Sequence, residues 1–158
     1  MGHVTYTNLK CILRNSTILA FQNCYIKAVN RTHKYIAIHI NNYSRDVFNV
    51  SMNIKVLRFN HGYKPFFFDI TFDACKYMKT QNDPIVNLFF NSFKHASNLN
   101  HTCPFNHDII VDKLWTGNHE VDFLKYLPVP NGDYMLPFTV YSNNLELLTI
   151  QVFVHLTT

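Results

Sequence analysis

Residues 47–59, VFNVSMNIKVLRF, decide the fold class. Phe48, Val50, Met52, Ile54 and Val56 fall at every second position, and Asn49, Ser51, Asn53 and Lys55 fill the places between. A period of two sends successive side chains to opposite faces, so this stretch reads as a strand with one dry and one wet face. An antiparallel sheet packed on a core from one side requires that pattern. The same alternation recurs on both sides of it. Upstream, Val4–Ile12 and Ile18–Val29 flank a polar turn at Arg14–Thr17, and in His33–Ile40 the residues Ile36, Ile38 and Ile40 alternate with Tyr35, Ala37 and His39. Downstream, after a turn at Asn60-His61-Gly62, Phe66, Phe68, Ile70 and Phe72 point one way while Phe67, Asp69 and Thr71 point the other.

The period then changes. Asn82-Asp83-Pro84 is a helix start, with Asn82 or Asp83 capping and proline tolerated in the first turn. Ile85, Leu88, Phe89 and Phe93 follow at helical spacing to about Ser97, and Val86, Phe90 and Ala96 widen the stripe. So broad and aromatic a stripe fits burial against a sheet or the wall of a cavity. Extended segments return at Asp108–Leu114, Glu120–Leu127, Tyr134–Tyr141 and Leu145–Leu156, with a turn at Pro128–Asp133 and a hairpin turn at Asn143-Asn144. In the last strand Leu148, Ile150, Val152, Val154 and Leu156 alternate with Thr149, Gln151, Phe153 and His155. No repeat or linker interrupts residues 1–158, so we read a single domain: a mainly β sandwich or cup of antiparallel sheets with one helix at its edge.

The 14 Phe and 9 Tyr need a large interior or a greasy concave surface. Fourteen Lys and Arg against ten Asp and Glu give a formal charge of +4. Those charges are scattered, as on a solvated face, and form no block of the kind that grips nucleic acid. No apolar run approaches the roughly eighteen residues of a membrane span. The sequons Asn15-Ser-Thr, Asn30-Arg-Thr, Asn42-Tyr-Ser, Asn49-Val-Ser and Asn100-His-Thr exceed the about two expected from composition. With an even number of cysteines they point to an oxidising, secretory setting and an extracellular protein. Met1-Gly2-His3 carries no hydrophobic leader, so the expectation is a mature chain with a trimmed or added start.

Cys11, Cys24, Cys75 and Cys103 allow three pairings and contain no CxxC. Cys11 and Cys24 sit on the first two strands, on either side of a short turn, though the midpoint between them is displaced past that turn. Cys75 and Cys103 bracket the helix, and closing that loop is worth about 3 to 4 kcal/mol in the chain-entropy description. These positions favour Cys11–Cys24 with Cys75–Cys103, and the other pairings stay open.

FDACKYM at 72–78, SNLNHTCPFNHDIIVDKL at 97–114 and LPVPNGDYML at 127–136 carry a family resemblance, joined by TNLKC at 7–11, AVNRTHKYI at 28–36 and NHGYKPFFFDIT at 60–71. Together they resemble a large insect family of secreted proteins with a domain of unknown function. That family is itself similar to the ML (lipid-recognition) superfamily, the chemosensory CheB proteins and the ganglioside activator protein. The resemblance implies an immunoglobulin-like β-sandwich opened into a cup for lipid or another apolar molecule, and it supports pairing Cys75 with Cys103. It leaves the ligand open. With fewer cysteines than the ganglioside activator, this chain does not inherit that protein's cavity geometry.

His107-Asp108, close to His101, is the constellation that could signal catalysis or a metal. Neighbours on a strand point to opposite faces, and no GxSxG elbow or HExxH spacing accompanies them. The expectation is therefore no enzyme, no metal and no cofactor, with His107 and Asp108 hydrogen-bonding the loop after Cys103. Histidine-driven release of a ligand in acid is conceivable, but nothing in the sequence singles out the residues. Taken with the resemblance, Ile38, Met52, Ile54, Phe66, Phe68, Phe72, Phe89, Phe90, Phe93, Ile150 and Val152 are the candidate lining of an apolar cavity between two sheets. The expected function is a secreted carrier or presenter of a small apolar ligand such as a fatty acid, sterol or hydrocarbon pheromone. The rival is an extracellular interaction module with a filled core that meets a receptor or another secreted protein.

Overall fold

A computed structural model describes residues 3–30, 34–43, 47, 49–116 and 130–157, with backbone only for His3, Phe67 and Phe68. Among the described residues, eight strands form two antiparallel sheets: β1 (His3–Leu13), β2 (Leu19–Ala28), β3 (Lys34–Asn42), β4 (Val50–Phe59), β5 (Tyr63–Asp73), β6 (Ile109–Trp115), β7 (Gly132–Ser142) and β8 (Leu145–Thr157). The first sheet runs β1-β8-β7-β4-β5 and the second β2-β3-β6. The expected segment Glu120–Leu127, like Phe48, lies outside the described residues.

The alternation read in β4 is what places it. Met52 opposes Phe72 on one side and Val140 on the other, and Ile54 opposes Ile70 and Phe138, so one face of the larger sheet is apolar across three strands. Ile54 and Val56 are buried. Asn53, on the opposite face, is also buried, because its amide donates to Asp69, Thr71 and the Ile70 carbonyl within the sheet. Ile36, Ile38 and Ile40 present the matching face from β3. Asn143 and Asn144 both adopt positive φ, 52° and 64°, the geometry of a type I′ turn joining two right-twisted strands.

Consecutive strands do not always pair. β1 hydrogen-bonds with β8 and β2 with β3, so β1 and β2 are edge strands of different sheets. Cys11–Cys24 therefore joins the two sheets and is not a cross-strand link within a hairpin. This also explains why the cysteines are not symmetric about the turn. The second disulfide is Cys75–Cys103, and both links match the favoured pairing.

Among the described residues the expected helix is present and is preceded by a second, shorter one. α1 (Ala74–Thr80) follows β5 without a break, capped by the Asp73 carboxylate on Lys76 N at 3.0 Å. α2 (Pro84–Phe93) starts where the sequence indicates, with Asp83 accepting from Ile85 N and Val86 N. Its inward stripe is Val86, Phe89, Phe90 and Phe93, positions i, i+3, i+4 and i+7, whereas Ile85 is exposed. A 3₁₀ turn at Lys94–Ala96 leads to Ser97, which bridges Val111 in β6. The helical segment thus runs from the β5 edge of one sheet to the β6 edge of the other. One flank of the sandwich is tied by Cys11–Cys24 and the opposite flank is walled by helices.

Candidate functional site: an apolar hollow

Between the sheets lies a cavity of about 300 Å³ lined by residues from every strand and both helices. It is about twice the ~150 Å³ of an apolar cavity that stays dry and takes up benzene, and it falls at the lower end of small-molecule sites. Isoleucine and valine side chains from β3, β4 and β8 form the two broad walls, and phenylalanines from β5, β7 and α2 close the helical side. Phe89 packs edge-on against Phe138, with centroids 5.9 Å apart. Phe90 meets Tyr77, which meets Phe72, at 5.8 and 5.9 Å. Edge-to-face contacts of this kind fix rings in place. The aromatic wall is held by its own members, so it does not collapse into the space.

Few polar groups face the hollow, and those that do are already engaged. Asn42 Nδ2 donates to the carbonyls of Phe105 and His107 at 3.0 and 3.3 Å, and Ser92 Oγ donates to the Phe89 carbonyl at 2.6 Å. The Tyr77 hydroxyl donates to Asn87 Oδ1 and the Tyr134 hydroxyl to the Pro130 carbonyl. Burial pushes the Tyr77 hydroxyl up, helped by the Asp83 charge; burial pushes Tyr134 up against the opposing pull of Arg58. Both therefore stay protonated and keep donating. Such a lining can desolvate hydrocarbon but has little to offer a charged group.

Ile38, Met52 and Ile54 line the hollow from β3 and β4, Phe72 from β5, Phe89, Phe90 and Phe93 from α2, and Ile150 and Val152 from β8. Phe66 is a correction. Lys55 pairs with Asp69 but Leu57 with Pro65, so Phe66, Phe67 and Phe68 bulge opposite Val56 alone. Phe66 packs instead on Tyr134, 5.7 Å between centroids, with the Arg58 guanidinium over its ring. The Phe68 side chain lies outside the described residues. Sequence reasoning missed the β1, β6 and β7 contributions, including Tyr6, Leu114, Leu136 and Phe138, and the residues of the 97–108 loop, Leu99 and Phe105. Gly132 and Asp133, read as the end of a turn, already belong to β7, and Tyr134, read as the start of the strand, is a buried wall residue.

The sequon asparagines divide. Asn30 and Asn100 are exposed and Asn15 is partly so, while Nδ2, the atom that would carry a glycan, donates to Asn143 Oδ1 in the exposed Asn49 and to two carbonyls in the half-buried Asn42.

The His107-Asp108 pair is arranged differently from its expected role. The Asp108 carboxylate accepts from Asn42 N and faces His39 Nε2, both at 2.9 Å, which ties β3 to the start of β6. Those bonds, the Asn42 amide first, hold its carboxyl below the ordinary range. His107 turns its Nδ1 to the Asp108 carbonyl and its Nε2 to that of His101. Among the described residues no group of three or more His, Cys, Asp or Glu converges as metal ligands do. No helix among them is long and apolar enough to cross a membrane.

Residues 48–136 match a family model described as a protein of unknown function, DUF1091. No curated protein matches the chain.

Proposed function

We propose that this chain, which belongs to the DUF1091 family, is a binding protein that carries or presents a small apolar molecule in the hollow between its sheets. The observation that supports this reading is the unfilled volume of about 300 Å³, walled by aliphatic and aromatic side chains whose few polar neighbours are already hydrogen-bonded. Binding would be driven by desolvation. At about 25 cal/mol per Å², burying some 300 Å² of ligand contributes roughly 7 kcal/mol before ordering costs. Fatty acid, sterol and hydrocarbon chemistry all fit the class, and the lining favours molecules whose polar group stays outside or is absent.

Two disulfides and exposed sequon asparagines such as Asn30 and Asn100 support an oxidising, extracellular setting for this role. Kinship with the ML lipid-recognition and chemosensory proteins, and an insect source, rest on the resemblance of the quoted motifs. Binding without catalysis fits the use of the Asp108 carboxylate as a tie between strands. A second reading, contact with a receptor or another secreted protein, draws on the edge-to-face chain Phe59–Tyr63–Phe153, whose first two rings are exposed.

The test is to delipidate the purified protein and titrate it with several apolar fluorescent probes. Saturable uptake at one site is expected. No saturable uptake of any of them would overturn the proposal.

A further inference from the structure

The histidine pair beside Phe105 carries chemistry that the carrier reading leaves unused. His101 Nδ1 lies 2.7 Å from the Thr102 carbonyl oxygen, and His107 Nδ1 lies 2.7 Å from that of Asp108. A carbonyl oxygen can only accept, so each ring carries a hydrogen on Nδ1. In a neutral imidazole that leaves Nε2 with a bare lone pair. Yet the two Nε2 atoms face each other at 2.5 Å. Two lone pairs so placed repel, whereas a proton between them makes a short charge-assisted bond. The other tautomer of His107 would let Asn98 Nδ2 donate to a bare Nδ1 at 3.3 Å. It would also set that lone pair against the Asp108 carbonyl at 2.7 Å, which already takes a hydrogen from Asn98 at 2.7 Å.

We propose that His101 and His107 hold one shared proton between their Nε2 atoms, and that a second proton forces them apart and opens the cavity wall at Phe105. The inference rests on the carrier reading for its consequence but not for its chemistry. Phe105 is buried, lines the hollow, and packs on the His101 ring at 4.9 Å between centroids and on His107 at 6.3 Å. Its backbone is paired with Val47, another wall residue, by bonds of 3.1 and 3.2 Å. The titratable groups that the described residues place against the pair are Asp108 and, through it, His39. The Asp108 carboxylate, held below the ordinary carboxylate range chiefly by the Asn42 amide and His39, stays ionised, and it is the Asp108 backbone carbonyl that meets His107. The second must join an existing positive charge without a partner of its own. Histidine is the side chain that changes charge between about pH 5 and 8, so the hollow is closed at neutral pH and opens in acid.

The experiment uses the delipidated full chain and an uncharged probe, N-phenyl-1-naphthylamine, with EDTA present and absent, from pH 7.5 to 5.0. The dissociation constant should rise about tenfold or more across that range, as one unit of coupling between ligand and proton requires. His101→Asn and His107→Asn, each alone, should flatten the profile and leave binding at pH 7.5 within about twofold of the parent, since neither ring lines the hollow. Imidazole ¹⁵N spectra of the unsubstituted protein at pH 7.5 should show one proton shared by the two Nε2 atoms. Binding that is strong but independent of pH, or a profile that survives both substitutions, overturns the gate and leaves the carrier reading intact. Absence of probe binding at pH 7.5 overturns the carrier reading, and the ¹⁵N spectra then decide the shared proton alone. A pH response that disappears on chelation would show a metal ion where we place the proton, and would overturn the proposal.

Discussion

Replacing Ile38 by phenylalanine probes the space between the sheets, because the sign of the stability change depends on it. Ile38 is 7% exposed, stands on the central strand of the smaller sheet and faces the hollow. Phenylalanine suits a strand as well as isoleucine does, so the backbone is not penalised. The substitution adds roughly three carbons at ~0.8 kcal/mol each when buried. Ordering the ring takes back about 1 kcal/mol. The ligand-free protein should therefore gain about 1 kcal/mol and melt about 2 to 4 °C higher. In a filled interior the same change is overpacking and costs about 1 to 3 kcal/mol. The ring also occupies space a ligand needs, so probe affinity should fall by about tenfold or more, the usual penalty for a misfit methylene or two in an apolar pocket. Urea denaturation of delipidated protein gives the first quantity and fluorescence titration the second. A lower urea midpoint together with unchanged probe affinity would refute the reasoning.

Two further outcomes follow from the described contacts. Replacing both Cys75 and Cys103 by serine should lower stability by about 3 to 4 kcal/mol in the chain-entropy description, given a separation of 28 residues. A urea midpoint nearly unchanged would mean that other contacts hold the helical flank. Asp108 has a depressed carboxyl, so its stabilising effect is fully present above the ordinary carboxylate range and is lost as pH falls through its lowered value. The gap in urea midpoint between the parent and Asp108→Asn should be present at pH 7 and shrink once the pH falls below the ordinary carboxylate range; a gap that persists at pH 2 would contradict the assignment.

Much of the sandwich was legible because alternation is a local property. β4 and β8 declare their dry faces residue by residue, and the inward faces at Met52, Ile54, Ile150 and Val152 follow directly. The start of α2 was equally plain, since Asp83-Pro84 combines a side-chain cap with a residue that suits only the first turn. What escaped is what depends on partners distant in sequence. ACKYMKT is too short to display a helical period, and its cap, Asp73, doubles as the last residue of β5. Nothing in the strand pattern says that β1 pairs with β8 and not with β2. The displaced midpoint of Cys11 and Cys24 was the one local sign of it. The bulge at Phe66–Phe68 keeps the alternation of letters while removing Phe66 from the wall. The stripe of α2 was misread by one position because Ile85 is apolar yet faces solvent.

The hollow itself could not be read from alternation, which tells which faces are dry but not how far apart they stand. Its energetic cost explains why the cysteines lie where they do. At ~24 cal/mol per Å³, a void of about 300 Å³ forfeits up to about 7 kcal/mol relative to a packed interior. That is comparable with the whole net stability of an ordinary domain. Loop closures of 13 and 28 residues return about 3 and about 3.5 kcal/mol, close to the same amount. The first link joins the edge strands β1 and β2 across one flank, and the second anchors α1 to the loop that carries Phe105 across the other. Each covalent tie thus acts at a margin where sheets with nothing between them would otherwise close together or slide. Covalent links at the rim let the centre stay unpacked, and an unpacked centre is what a carrier of apolar molecules needs.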